Sequence, residues 1–256
     1  MGKKYMEHKN LEIKIVKDYE ALSLLASGII LNQITQKPSS VLGLATGSTP
    51  VGTYKQLVHL YNKGYLRFLH VKTFNLDEYH PIEKENDKSY HYFMKEKLFN
   101  HIDINMKNTF IPDGRAKNPE EECDKYESLI ERVGHIDLQL LGLGLNGHIG
   151  FNEPSDIFSK TTCYVKLDES TIEANARFFE DKSLVPKHGI TMGIATIMKA
   201  KHILLLISGE NKADIAKEVL FGDITPKAPG SILQLHDCVT VILDEAAAKN
   251  LSCNIP

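Results

Sequence analysis

The chain has 256 residues, a hydrophobic content of 42% and a formal net charge of −3. A chain of this length can bury a substantial core and fits one large domain, 1–256, better than two small ones. Acidic and basic residues are interspersed, which argues against binding to nucleic acid or an anionic membrane and favours a small-molecule partner. The four cysteines lack CxxC spacing, and neither a secretory signal nor an apolar run of about 20 residues is present. These features predict a reduced, soluble, cytoplasmic protein.

Short apolar runs alternate along the chain with amphipathic stretches of helical period. This pattern is typical of a parallel sheet covered on both faces by crossover helices. After a charged leader, a strand is expected at 11–16 and a helix at 19–34, with Asp18 as its N-cap. Further strands are predicted at 41–45, 71–76, 109–111, 136–142, 202–207 and 239–243. The predicted fold class is therefore α/β with a mainly parallel sheet.

In such a sheet, ligands bind beyond the carboxyl ends of the strands, and four of these ends carry unusual chemistry. The first end holds Thr46, Gly47, Ser48 and Thr49. Pro50 follows, where it suits the first position of a helix beginning near 51. Glycine allows close approach of the backbone to an anion, hydroxyls donate, and a helix N-terminus adds a partial positive charge. The pattern indicates a phosphate cradle, with an ordinary capped turn as the alternative; the P-loop is excluded because no GK[ST] follows.

The second end places two adjacent carboxylates, Asp77 and Glu78, just past an apolar strand. Only one of them can face the crevice. A carboxylate in that position serves as a general base if burial or neighbours set its pKa suitably. A solvated turn or a helix cap is the alternative.

The third end is a glycine-rich loop over 141–154 that carries His148. The unperturbed pKa of histidine, about 6.5, suits proton transfer in both directions near neutrality. Asn146 and Glu153 are candidates to orient the imidazole, as in catalytic triads. A structural histidine is the alternative. An NAD site is disfavoured because the GxGxxG context is not met, and a metal site because neither HExxH spacing nor a second ligand is nearby.

The fourth end leads into a helix predicted at 213–220, with Lys212 in its first turn, where the helix dipole disfavours a cation. A bound anion would resolve this conflict; a lysine that extends into solvent is the alternative. Residues 170–188 form a short amphipathic segment with few strong core anchors. They predict a mobile lid at about 168–188 that carries Arg177 toward a phosphate, with a salt-bridged surface helix as the alternative.

The strings at 43–50, 74–79, 146–154 and 185–187 resemble the signatures of the glucosamine-6-phosphate deaminases, in the glucosamine/galactosamine-6-phosphate isomerase family. The resemblance spans nearly the whole chain. It implies a modified doubly wound, Rossmann-like sheet with helices on both faces. It also implies conversion of glucosamine-6-phosphate to fructose-6-phosphate and ammonia in amino-sugar catabolism, without a metal or organic cofactor.

The resemblance also implies roles for single residues. His148 would open the pyranose ring, with Asn146 and Glu153 positioning and polarising it. Asp77 would move a proton from C2 to C1 through an enolamine, and water would hydrolyse the resulting imine. Asn146 replaces an aspartate found in many members, and a neutral amide stabilises an imidazolium less well.

The implied phosphate site joins the loop at 46–49 with Arg177 and Lys212. Allosteric members carry basic residues after the Asn-Glu-Pro motif, where this chain has Cys163 and Val165. We therefore expect no activation by N-acetylglucosamine-6-phosphate.

Three other functions stay open at this point. Galactosamine-6-phosphate is an alternative substrate, because residues 80–82 read His-Pro-Ile in place of the usual Val-Gly-Leu beside the base. A 6-phosphogluconolactonase-like hydrolase would share the fold and the phosphate loop but carry a different acid-base set. A non-catalytic sugar-phosphate sensor should carry a DNA-binding segment, and the leader before residue 11 is too short for one. The sequence leaves the choice between a monomer and a homo-oligomer undecided.

Overall fold

The protein is described here from a computed structural model covering residues 4–8, 11–177 and 179–251. Its strands are β1 (Lys4–His8), β2 (Leu11–Val16), β3 (Val41–Leu44), β4 (Lys72–Asn75), β5 (Asp77–His80), β6 (Thr109–Phe110), β7 (Leu138–Gly142), β8 (Cys163–Lys166), β9 (His188–Thr191), β10 (Ile203–Ile207) and β11 (Val239–Asp244). Its α-helices are α1 (Tyr19–Gln36), α2 (Val51–Asn62), α3 (Tyr90–Lys97), α4 (Pro119–Val133), α5 (Glu169–Ala176), α6 (Ile194–Ile197) and α7 (Ala213–Phe221).

The main sheet has the strand order β1-β2-β11-β10-β7-β3-β4-β6, and β1 alone runs antiparallel to its neighbour. Every residue of β3, β10 and β11 is buried. Because successive side chains of a strand point to opposite faces, layers must cover both faces of the sheet. The predicted doubly wound α/β fold class is confirmed. From β3 the chain builds outward through β4 to β6, then returns to the other side of β3 with β7. This reversal creates a switch point between β3 and β7, where ligands bind in such folds.

Helix α1 shows how the sequence specifies these layers. The Asp18 side chain accepts a hydrogen bond from the Ala21 N–H at 2.9 Å, so it is the predicted N-cap. The buried apolar face repeats every four residues, at Leu22, Ala26, Ile30 and Ile34. The helix begins as predicted and continues two residues further. Helix α1 also packs against α2.

A second, smaller antiparallel sheet, ordered β5-β9-β8, was not predicted. It carries its own apolar cluster, formed by Tyr79, Ile82, Phe151, Leu167, Ile172 and Val185. Strand β5 follows β4 after a single residue, Leu76, whose N–H donates to the Leu44 carbonyl while its carbonyl accepts from Met192. The chain thus passes directly from the main sheet into the small one. Asp77 lies at that junction.

The structure corrects several details of the sequence interpretation. The charged leader contains strand β1, which pairs with β2. Pro50 is the N-cap of α2 and not its first helical residue. The segment 170–188 has core anchors after all, because Ile172 and Val185 are buried in the small cluster. Lys212 caps α7 and ends a short 3₁₀ turn before it.

Within the described ranges, no helix is long and apolar enough to cross a membrane. Cys123, Cys163 and Cys238 are unpaired thiols, and Cys253 lies outside the described residues. Residue 178, within the predicted lid, also lies outside them. Movement of that lid stays a prediction.

Candidate active site

A cleft of about 560 Å³ opens at the carboxyl ends of β3, β4, β7 and β10, beside the switch point. Eight of the ten predicted site residues line it, namely Thr46, Gly47, Ser48, Thr49, Asp77, His148, Arg177 and Lys212. Asn146 and Glu153 lie behind His148 and contact it there. The four strand ends singled out from the sequence therefore meet in one place.

The loop between β3 and α2 is held from behind by Tyr19. The phenol oxygen of Tyr19 lies 3.1 Å from the carbonyl oxygens of both Ser48 and Thr49, and it accepts from the Gly52 N–H at 2.7 Å. Gly47 has a φ of 87°, a left-handed conformation that favours glycine. The hydroxyls and N–H groups of the loop consequently face the cleft on a fixed backbone, as a phosphate site requires.

Two cations, Arg177 and Lys212, complete this end of the cleft. The Arg177 guanidinium donates to the Ser48 hydroxyl at 3.3 Å, and the Lys212 ammonium donates to the Leu143 carbonyl at 2.6 Å. Burial, and after it the nearby Arg177 charge, together lower the pKa of Lys212 from 10.5 to about 8. An anion between the two groups would relieve both effects, so the geometry favours a phosphate here.

The two adjacent carboxylates have separate environments because consecutive residues of β5 point in opposite directions. Asp77 lines the cleft, and burial, followed by the charge of Glu78, raises its pKa well above the usual value. Glu78 points away and is fully buried. It accepts hydrogen bonds from the N–H groups of Tyr79, Tyr90 and His91, and its second oxygen lies 3.0 Å from the His91 ring nitrogen. Asp77 is therefore available for chemistry, while Glu78 caps α3.

His148 is the centre of a polar relay with Asn146 and Glu153. Its Nδ1 lies 2.7 Å from the Asn146 amide oxygen and 3.3 Å from the Glu153 carboxylate. The Asn146 amide nitrogen donates to the same carboxylate at 2.9 Å, which orients the amide. Since the Asn146 amide oxygen and the Glu153 carboxylate are both acceptors, we assign the proton to Nδ1, which leaves Nε2 as a base. Burial acts to raise the pKa of Glu153, but hydrogen bonding and the charge of His148 outweigh it and lower the pKa overall.

Two glycines allow the loop over 141–154 to bring this relay to Asp77. A Cβ at Gly144 would overlap the imidazole of His148, so the ring lies directly against the backbone there. Gly150 has a φ of 59°, and a Cβ on it would lie 3.4 Å from the Asp77 carboxylate. The loop thus packs against Asp77 and His148 together. These glycines serve close approach, as the sequence suggested.

Sequence reasoning missed several residues that line the cleft, chiefly Tyr90, Thr171, Ser208 and Asn211. Tyr90 is the first residue of α3; its N–H donates to Glu78, and its ring packs against Tyr79 and Phe151. Thr171 lies in the segment already singled out for Arg177, so its neighbourhood was the available signal. Within the described part of the chain, no three His, Cys, Asp or Glu side chains form a group able to hold a metal ion.

Comparisons with known proteins identify relatives of this chain. A family model for glucosamine-6-phosphate isomerases/6-phosphogluconolactonase matches residues 20–242. A glucosamine-6-phosphate deaminase of Clostridioides difficile is 54% identical over 94% of this chain and 97% of its own length. One from Lachnoclostridium phytofermentans is 57% identical over 88% of this chain and 95% of its own.

Among solved structures, a monomeric glucosamine-6-phosphate deaminase of the NagB superfamily superimposes with a TM-score of 0.91. It is 47% identical and covers 93% of this chain and 99% of its own. Matches of this extent include every strand end that forms the cleft. The chain belongs to the glucosamine-6-phosphate isomerase/6-phosphogluconolactonase family.

Proposed function

We propose that this protein converts glucosamine-6-phosphate and water to fructose-6-phosphate and ammonia. The observation that carries the proposal is the meeting of a buried carboxylate, Asp77, a polarised imidazole, His148, and a cationic anion site in one cleft. An aldose-ketose isomerisation needs an acid-base group at the ring oxygen, a second one at C2 and an anchor for the phosphate. Relatives at 54% and 57% identity bear this activity in their names.

Ring opening is the first step. Nε2 of His148 takes the proton from the anomeric hydroxyl and returns a proton to the ring oxygen as the C1–O5 bond breaks, giving the open aldehyde. Nδ1 keeps its proton, bonded to Asn146, while the Glu153 carboxylate stabilises positive charge that develops on the ring. Because Asn146 is neutral, Glu153 supplies the charge in this relay.

Proton transfer between carbons is the second step. Asp77 removes the C2 proton, which the adjacent aldehyde carbonyl acidifies. The electron pair forms the C1–C2 double bond, the carbonyl pair moves to O1, and O1 takes a proton from the substrate's own ammonium group, which gives the enolamine. The same carboxyl delivers a proton to C1, giving a ketose imine at C2. Water adds to that imine and the C2–N bond breaks, releasing ammonia and leaving the ketone. Because the pKa of Asp77 is raised above its usual value, its carboxylate is a stronger base toward the C2 proton than an ordinary aspartate.

Binding of the phosphate fixes the position and orientation of the substrate for both steps. The hydroxyls of Ser48 and Thr49, the α2 N-terminus and the cations Arg177 and Lys212 supply its contacts in this proposal. No metal or organic cofactor has a part in it.

The experiment is ammonia release from glucosamine-6-phosphate by the purified protein, with Asp77→Asn and His148→Gln variants. The matched controls are Asp124→Asn and His70→Gln, which make the same changes at exposed positions. We expect each site variant to lose at least about 100-fold in kcat and each control to stay within about twofold of wild type. Wild-type protein that releases no ammonia would overturn the proposal.

Galactosamine-6-phosphate and 6-phosphogluconolactone are tested as alternative substrates. Galactosamine-6-phosphate, the C4 epimer, is expected to react more slowly, since the named relatives act on glucosamine-6-phosphate. Hydrolysis of 6-phosphogluconolactone without ammonia release from either amino sugar would identify a lactonase.

We also propose that the enzyme is a monomer without an allosteric effector site. A monomeric structural relative supports the first part, and Cys163 and Val165 in place of basic residues support the second. Light scattering should give a mass near 28.8 kDa. A severalfold decrease in apparent half-saturation with N-acetylglucosamine-6-phosphate would contradict the second part.

A further inference from the structure

The first turn of helix α5 contacts the relay at three points. The Asp168 N–H donates to one oxygen of Glu153 at 3.4 Å, and the Asn146 amide donates to the Ser170 hydroxyl at 3.2 Å. The Thr171 hydroxyl oxygen lies 3.4 Å from Nδ1 of His148. Every member of the relay is therefore touched by this turn.

Thr171 is the most informative of these three residues. Its side chain is 3% exposed, and it lines the cleft. Hydrogen bonding from the Thr171 side chain is also among the causes that lower the pKa of Glu153. A buried hydroxyl needs a partner, and the partners here are the carboxylate and the imidazole nitrogen that face each other. A hydroxyl in that position fixes the angle between the two groups.

We infer that Thr171 is a positioning residue for ring opening, holding Glu153 and His148 in the alignment that leaves Nε2 directed at the substrate. The inference rests on the proposed deaminase function. Thr171 itself exchanges no proton with the sugar. It acts by donating to Glu153, which keeps the carboxylate beside Nδ1, where it stabilises the imidazolium formed as the ring opens.

The role differs from that of the other groups on α5. Arg177, at the C-cap of the helix, contacts the phosphate loop through Ser48. Loss of a phosphate contact raises KM, whereas misalignment of an acid-base group lowers kcat. Substitution of Arg177 should therefore mainly raise KM, whereas substitution of Thr171 should mainly lower kcat.

The experiment compares Thr171→Val, which keeps the shape and removes the hydroxyl, with Thr171→Ser, which keeps the hydroxyl. Thr35→Val is the control, since Thr35 is an exposed helical threonine outside the cleft. We expect Thr171→Val to lower kcat about 10-fold with KM within about twofold, the loss typical of one charge-assisted hydrogen bond. Thr171→Ser and Thr35→Val should retain kcat within about twofold.

A deuterium isotope effect with substrate labelled at C2 separates alignment of the relay from damage to Asp77. If Thr171 acts on ring opening, slowing that step cannot increase the isotope effect, so Thr171→Val should show a value no larger than wild type. A larger value would place the defect at C2 proton transfer and overturn the inference.

Equal kcat for Thr171→Val and wild type would also overturn the inference, as would a loss in Thr171→Ser equal to that in Thr171→Val. Absence of turnover in wild type would instead overturn the proposed function, so the two failures are distinguishable. Fructose-6-phosphate binding by calorimetry confirms that each variant keeps a folded cleft.

Discussion

Replacing Lys212 by methionine should stabilise the substrate-free protein while weakening phosphate binding. The Lys212 ammonium is largely buried and lies near Arg177, and these two effects hold its pKa near 8. At neutral pH the folded protein therefore keeps a cation in an environment that disfavours it. Methionine has a similar unbranched shape and no charge, so it should fill the space without that penalty.

The magnitude follows from the pKa. Lowering it from 10.5 to about 8 corresponds to about 3 kcal/mol against the charged form. The hydrogen bond from Lys212 to the Leu143 carbonyl contributes about 1 kcal/mol, which the variant loses. The expected net gain is about 2 kcal/mol, or roughly 4–8 °C in Tm for a chain of this size.

The gain should depend on pH. Between pH 8 and 10.5 the unfolded state holds a proton on Lys212 that the folded state has released, so the free energy of unfolding of wild type rises with pH there. The gain in free energy of unfolding from Lys212→Met is therefore largest below pH 8 and disappears toward pH 10.5.

The assay is thermal and urea unfolding at pH 7 and pH 10 in phosphate-free buffer, then at pH 7 with fructose-6-phosphate. Added ligand should stabilise wild type more than Lys212→Met. The control is Lys217→Met, an exposed position on α7 expected to change stability by less than about 0.5 kcal/mol. A Lys212→Met protein less stable than wild type at pH 7, or a gain that persists at pH 10, would refute the reasoning.

Three further changes test other parts of the site. Glu78→Gln removes the like charge beside Asp77, so the acid limb of the kcat/KM profile should move to lower pH; a profile that stays fixed would refute this electrostatic role. Gly144→Ala places a methyl group against the His148 ring and should lower kcat at least about 10-fold, with thermal unfolding as the control for stability. Tyr19→Phe removes the hydroxyl that holds the phosphate loop, so steady-state kinetics should show KM raised about 5- to 10-fold at nearly constant kcat.

Local patterns were sufficient to predict seven of the eight strands of the main sheet, all except β1. The predicted strands and helices lie within two residues of those observed, because buried parallel strands are continuous apolar runs and their caps are local. The small sheet was missed for the opposite reason. Strand β5 reads Asp-Glu-Tyr-His, and its pairing with β9 joins residues more than one hundred positions apart. Neither its composition nor its spacing distinguishes it from a turn.

The site residues likewise include some that local sequence patterns identify and some that they do not. Asp77 and His148 were found because each follows a recognisable strand end. Tyr90 and Thr171 reach the cleft through contacts with distant segments, so periodicity does not identify them. The strand pattern alone did not decide which of Asp77 and Glu78 faces the cleft, and the contact of Glu78 with the start of α3 depends on tertiary structure.

The pairing of β5 with β9 carries a consequence for how the activity can be lost. Asp77 is opposite Thr191 in this register, and a slip of one residue would turn every side chain of β5 to the other face. Such a slip would direct Glu78 into the cleft and bury Asp77 at the start of α3. The protein would keep both carboxylates and its composition, yet the base would be one methylene longer, and the Tyr90 and His91 N–H groups at the start of α3 would lose their Glu78 acceptor. Strand register in the small sheet is therefore as much a determinant of the proposed chemistry as the identity of the base itself.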